Sequence, residues 1–151
     1  MNADVIFGAE SANWPGQCTR QPEVPGRFRF LNSGGYIGRA IVLRDMFNSR
    51  PIENHADDQL FCQELYASRH WDVKLDYRKE IFCCLSDHVR EHRQANARGR
   101  RLLDWPVKNI GSPYSGVGKQ EIYFVEETET YPLQLHGNGV SKDVWHEIIG
   151  K

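Results

Sequence analysis

Short apolar runs of strand length alternate along this chain with stretches of helical periodicity, and most runs end in a polar or glycine-rich turn. Residues 5–10, VIFGAE, form an apolar run broken by Gly8 and read as a buried strand that carries Glu10 into a loop. IVLRDMFNS sets Ile41, Val42, Leu43, Met46 and Phe47 at helical spacing, which predicts a helix with one apolar face. HADDQLFCQELYAS predicts a second helix: Leu60, Phe61, Leu65 and Tyr66 recur at helical intervals, and Asp57 and Asp58 load the first turn with the negative charge a helix dipole favours there. Strands and helices in alternation must bury their apolar faces on one another, so the expected fold class is α/β, a mixed sheet flanked by helices.

The connecting segments carry equally definite signals. SANWPGQCTRQPEVPG holds three prolines and two glycines and must be irregular. A loop of that length in a compact domain usually has a task. In FRFLNSGGYIG the apolar alternation runs to Leu31, after which NSGG predicts a tight turn leading into YIG. VKLDYRKEIFCCL has two apolar stretches around Asp76, read as a strand followed by a second strand or a turn. QEIYFVEETETYPLQLHGNG reads as a strand, an acidic turn and a second strand that ends at His136.

A chain of 151 residues is read as a single domain, residues 1–151, long enough to bury roughly two-thirds of its unfolded surface. With a formal net charge of -1 there is no global pull toward nucleic acid or anionic membrane. Neither a signal peptide nor an apolar run of spanning length is evident in it. Cys18, Cys62, Cys83 and Cys84 are too irregularly spaced for a disulfide framework or a zinc knuckle, and Cys83–Cys84 reads as a pair of buried small apolar residues. The redox compartment stays open on cysteines alone.

From Asp87 to Leu103 the chain is strongly polar and holds five arginines, Arg90, Arg93, Arg98, Arg100 and Arg101. A solvated helix or exposed insertion is the plain reading, and an anion-binding patch the sharper one. GVGK in SPYSGVGKQ lacks the spacing and the following Ser/Thr of a phosphate loop, and reads as a hairpin or surface turn.

Three constellations place polar groups where elements end: FLNSGG with Asn32 and Ser33, DDQLF with Asp57, Asp58 and Gln59, and LHGNG with His136. In open α/β sheets, ligands sit beyond the carboxyl ends of the strands. His136 is either a buried imidazole bonded to a carbonyl or a metal ligand. Gly137 and Gly139 permit positive φ, so successive N–H groups can face an anion, and Lys142 adds a point charge. Histidine, amides and lysine together would suit a metal-diphosphate. Asp57-Asp58-Gln59 is either a helix cap or a carboxylate and an amide facing a cleft, where they would bind sugar hydroxyls or stabilise positive charge at an anomeric carbon.

AESANWP, RFRFLNSGGYIG, DDQLF, LDYRKEIF and PLQLHGNGVSK, in that order, closely resemble the glycosyltransferase domain of the procollagen lysyl hydroxylases. The resemblance covers nearly the whole chain and is weakest from Ser86 to Lys119. It implies a GT-A-like fold, a UDP-sugar donor, manganese as cofactor, and collagen hydroxylysine or galactosyl-hydroxylysine as acceptor of glucose or galactose. It further implies that His136 ligates manganese and that Gly139, Val140, Ser141 and Lys142 contact the diphosphate. Trp14 matches an aromatic lining the acceptor region, with Asn32 and Ser33 as further substrate contacts. Asp57 and Asp58 match an acidic run before QLF, and Asp58-Gln59 resembles the Asp-Gln at the cleft of retaining GT-A enzymes, which makes Asp58 the candidate reacting centre. The family's nucleotide-binding first half and acidic metal motif precede the strand matched by VIFGAE. The chain is therefore expected to represent the C-terminal portion of such a domain, working in the endoplasmic reticulum lumen or secreted. A non-catalytic remnant that binds collagen or another subunit is the alternative.

Overall fold

The computed structural model describes residues 2–90, 107–110 and 122–144. They fall into two compact units, Met1–Tyr77 and Arg78–Lys151.

The first unit is a three-stranded mixed sheet in the order β2-β1-β3 with two helices. β1 (Val5–Glu10) is buried along almost its whole length, as its apolar run predicts. β2 (Phe30–Gly38) lies antiparallel to it, and β3 (Val73–Asp76) parallel. Here the expected NSGG turn is corrected. Phe7 pairs with Tyr36 and the next residue, Gly8, pairs with Asn32, so Ser33, Gly34 and Gly35 are looped out within one continuous strand. The segment is a bulge, because the residues on both sides of it find the same partner strand. The Asn32 carboxamide accepts from the Gly34 N–H at 3.0 Å, which closes the bulge locally.

Helix α1 (Ala40–Phe47) buries Met46 and packs Val42, Leu43 and Phe47 on the core, but Ile41 is 55% exposed and leaves the predicted apolar face. Four of the five periodic residues are enough to orient the helix. α2 (Asp58–Ser68) starts where the acidic pair predicts. Asp57 caps it, its carboxylate accepting from the Leu60 N–H at 2.8 Å, and Arg69 ends it in the left-handed conformation, φ 56°. Phe7, Tyr36, Phe47 and Phe61 form a chain of ring contacts with centroids 5.3, 5.3 and 6.4 Å apart, linking β1, β2, α1 and α2. The proline-rich loop is irregular as expected, yet tied: Asn13 donates to the Cys18 carbonyl, and Gln21 bonds both Asn13 and the Leu31 N–H.

The second unit carries β4 (Phe82–Cys84), β5 (Val107–Asn109), β6 (Tyr123–Val125) and β7 (Gln134–His136). β4 pairs with β7 in parallel, and β5 with β6 antiparallel. Strand, acidic turn and strand thus follow one another from β6 to β7 as the sequence predicts, although the two strands belong to different sheets. Cys83, Leu85, Val89, Val107 and Val125 make the core of this unit. The arginine-rich stretch beyond Arg90 and the GVGK turn lie outside the described residues. Among the described residues, no helix is long and apolar enough to cross a membrane.

Candidate functional site

In the first unit the sheet and α2 bring Trp14, Asn32, Ser33, Asp57, Asp58 and Gln59 into one polar cluster. Its centre is Gln59, buried at the start of α2. The Gln59 Nε2 donates to Glu10 Oε1 at 2.6 Å and to the Trp14 carbonyl at 2.8 Å, while its Oε1 accepts from Asn32 Nδ2 at 3.3 Å. One turn along, Gln63 Nε2 donates to the Trp14 and Leu31 carbonyls at 2.7 and 3.2 Å. Two amides at i and i+4 therefore fix the loop after β1, the bulge of β2 and the start of α2 against each other. The Gln59 amide is bonded at both ends, which makes a rigid support, whereas the buried Gln63 Oε1 has no hydrogen-bond partner among the described residues.

The groups left facing solvent are different ones. Trp14 is 62% exposed even though its carbonyl is clamped twice. The Asp58 carboxylate is exposed and accepts from Ser33 Oγ at 3.1 Å. Both members of the acidic pair are exposed, but Asp57 is engaged as the helix cap, while among the described residues the Asp58 carboxylate bonds only the Ser33 hydroxyl. Gln59, with both ends of its amide bonded inside the protein, holds the cluster rather than facing a ligand. Gln63 escaped the sequence reading, and Glu10 was read only as the end of a strand carried into a loop. Glu10 closes an apolar run and is 3% exposed; the signal for it was a carboxylate at the very end of a buried strand, and for Gln63 an amide one turn after Gln59 on the same helical face.

In the second unit, His136 ends β7 and pairs in register with Cys84. Its carbonyl accepts from the Leu85 and Asn138 N–H groups, both at 3.0 Å, which pins the backbone on each side of the ring. The Asn138 carboxamide accepts from the Ser86 N–H at 3.1 Å. Gly139 then takes φ +50° and opens a short 3-10 helix, Gly139–Val144. Ser141 is fully buried and its hydroxyl donates to the Asn138 carbonyl at 2.6 Å, so that hydroxyl braces the turn. Lys142 is exposed; the side chain of Val140 lies outside the described part.

Burial lowers the His136 pKa below its ordinary value, and the positive charge of Lys142 lowers it further. A neutral imidazole is the form that binds a metal. The same positive field opposes a bare divalent cation and attracts an anion, so the turn suits a metal that arrives with its phosphates. Hard cations want several oxygen ligands, and among the described residues no group of three or more His, Cys, Asp or Glu side chains stands together. One histidine, turn amides and a lysine could serve one side of a metal-phosphate, and among the described residues they do not make a complete metal centre.

Comparison with known proteins decides the family. Residues 1–148 match the PLOD GT domain. The chain belongs to this family. The PLOD GT domain is the glycosyltransferase domain of the procollagen lysyl hydroxylases, in agreement with the motifs quoted above. The chain is 30% identical over 144 residues to human multifunctional procollagen lysine hydroxylase and glycosyltransferase LH3, covering 91% of the chain and 17% of that protein. It is 34% identical over 143 residues to the procollagen-lysine,2-oxoglutarate 5-dioxygenase of Drosophila melanogaster, covering 93% and 18%. A Caenorhabditis elegans multifunctional procollagen lysine hydroxylase and glycosyltransferase is 31% identical over 142 residues. The chain thus spans less than a fifth of the length of these relatives. A PLOD GT domain with a mixed sheet, flanking helices and polar groups gathered at element ends is what the sequence motifs imply.

Proposed function

We propose that this chain serves a glycosyltransferase that moves glucose or galactose from a UDP-sugar to hydroxylysine or galactosyl-hydroxylysine in collagen. The observation that carries this reading is the cluster of the first unit, in which buried Glu10, Asn32, Gln59 and Gln63 support an exposed indole and an exposed carboxylate. Aromatic faces pack on sugar rings, and a carboxylate can bind their hydroxyls or stabilise positive charge at an anomeric carbon. Asp58 is the candidate reacting centre, oriented by Ser33, while Trp14 serves the acceptor side; Asn32, expected there too, is buried with both ends of its carboxamide bonded and supports the cluster instead. In the second unit, the backbone of the turn at Gly139 and the charge of Lys142 would receive the diphosphate. Manganese would take His136 as one ligand, and its chemistry would be to neutralise charge on the leaving nucleotide. The names of the relatives join procollagen to glycosyltransferase, which supports collagen as partner; the endoplasmic reticulum lumen is proposed as compartment on the family resemblance alone.

A second reading, a non-catalytic binding module, draws on the same cluster: Asp57, Gln59 and Asn32 have structural partners already. Turnover separates the two. Manganese-dependent hydrolysis of UDP-glucose by the chain is the measurement, with Asp58→Asn lowering the rate by about a hundredfold if the carboxylate stabilises developing charge. Turnover unchanged by Asp58→Asn would remove Asp58 from the reacting centre, and absence of turnover would favour the binding module.

A further inference from the structure

The second unit buries a full charge that the proposed chemistry does not use. Lys79 has no exposed surface, adopts φ 56°, and sends its ammonium group inward. Nζ donates to the Cys84 carbonyl at 3.2 Å, lies 3.3 Å from His88 Nε2, and pairs with Asp87 Oδ2 at 3.6 Å. An ammonium offers N–H donors and no acceptor; the Cys84 carbonyl and His88 Nε2 lie within hydrogen-bond distance, while Asp87 at 3.6 Å is a charge partner.

The Cys84 contact acts on the strand that pairs with the one carrying His136. The Cys84 carbonyl is at the end of β4, opposite His136 in the parallel register. The next N–H, that of Leu85, donates to the His136 carbonyl at 3.0 Å. On the other side, the single Thr130 hydroxyl proton is shared between the Lys79 and Arg78 carbonyls, 3.0 and 3.2 Å from Oγ1, which ties the turn before β7 to the same residue. Gln134 N–H donates to the Ile81 carbonyl at 2.9 Å and starts the β4–β7 ladder. Lys79 therefore holds β4 at its end through its side chain and the approach to β7 through its backbone.

We propose that Lys79 is a positioning residue for His136: its buried ammonium locks β4 so that β7 delivers the imidazole in a single orientation. Its value for metal binding rests on the reading of His136 as a ligand, whereas its effect on the ring does not. A lysine buried only for packing would influence stability and leave the imidazole where it is.

The test uses the full 151-residue chain with 13C-labelled histidine. The His136 ring signal is assigned by its loss in His136→Gln, and manganese is added in steps to follow paramagnetic broadening. Lys79→Met with Asp87→Asn removes both buried charges together, since a lone buried charge would unfold the unit for a trivial reason. Val125→Ala, a buried change in the same unit, serves as the structural control. The expected result is a folded double variant whose His136 signal shifts or splits, and whose broadening needs about tenfold more manganese, the usual effect of losing support around a ligand. The control keeps the native ring signal. A folded double variant with an unmoved His136 signal overturns the proposal. If native His136 does not respond to manganese, the ligand reading fails, and the ring signal still judges Lys79. Should the double variant not fold, Thr130→Val, which releases only the backbone side of the clamp, is judged by the same signal.

Discussion

Cys62 sits on the inner side of α2 with Asp58 one turn before it. Burial pushes its thiol up to about 12, and the negative charge of Asp58 adds to the shift. The thiolate is the reactive form, so Cys62 should resist iodoacetamide at pH 8 in the folded chain and react once urea exposes it. Mass spectrometry of the native and unfolded samples checks this; rapid native labelling of Cys62 would contradict its burial. The sign of the pH effect follows. The unfolded thiol ionises near its ordinary 9.0 while the folded one keeps its proton toward 12, so this contribution to stability is present below pH 9 and lost as the pH rises through that interval. All four cysteines are buried, which fits the sequence reading of Cys83–Cys84 as small apolar residues. At this scale the sequence told residue types well and orientations poorly. DDQ was recognised as a cap or a site, and the structure divides it into a cap, an exposed carboxylate and a buried amide. That division depends on where Glu10, Asn32 and Trp14 stand, 49, 27 and 45 residues away along the chain.

Among the elements, β1, α1, α2 and β3 could be read from periodicity because each carries its own apolar pattern. β2 could not, since NSGG has the local composition of a turn and becomes a bulge only through pairing with β1 on both sides. The pairing is distant information that no local pattern contains. Gly38 at the end of β2 gives a direct test of that pairing. A Cβ there would stand 2.7 Å from the Asp4 carbonyl oxygen and 2.9 Å from a Val5 methyl group, closer than side chains tolerate. Gly38→Ala should therefore destabilise the first unit by about 1–3 kcal/mol, as overpacking does. Urea denaturation followed by tryptophan fluorescence measures it; an unchanged midpoint would mean that β2 does not approach β1 in this register. The three-residue strands of the second unit lay at the opposite limit. Three residues are too few to display a period; β6 and β7 were signalled by the acidic turn between them, and β4 only as a second strand or a turn after Asp76.

On the scale of the whole molecule, two cores stand behind two sets of candidate groups. Val5, Phe7, Leu31, Met46, Phe61 and Leu75 underlie the Trp14–Asp58 cluster, and Cys83, Leu85, Val89, Val107 and Val125 underlie the His136 turn. The family was legible in the sequence because its motifs are the polar residues at element ends, and their order survives at about 30% identity. The supports were not legible: Glu10, Gln63 and Lys79 acquire their roles only when strands pair and a helix packs. The central claim is that the His136–Lys142 turn receives a metal-bound nucleotide diphosphate. Calorimetric titration of UDP into the chain, with and without manganese, tests it most directly. The account predicts saturable binding that needs manganese and weakens by on the order of tenfold or more in His136→Ala. No heat of binding at millimolar UDP with manganese present, or binding that His136→Ala leaves intact, would contradict it.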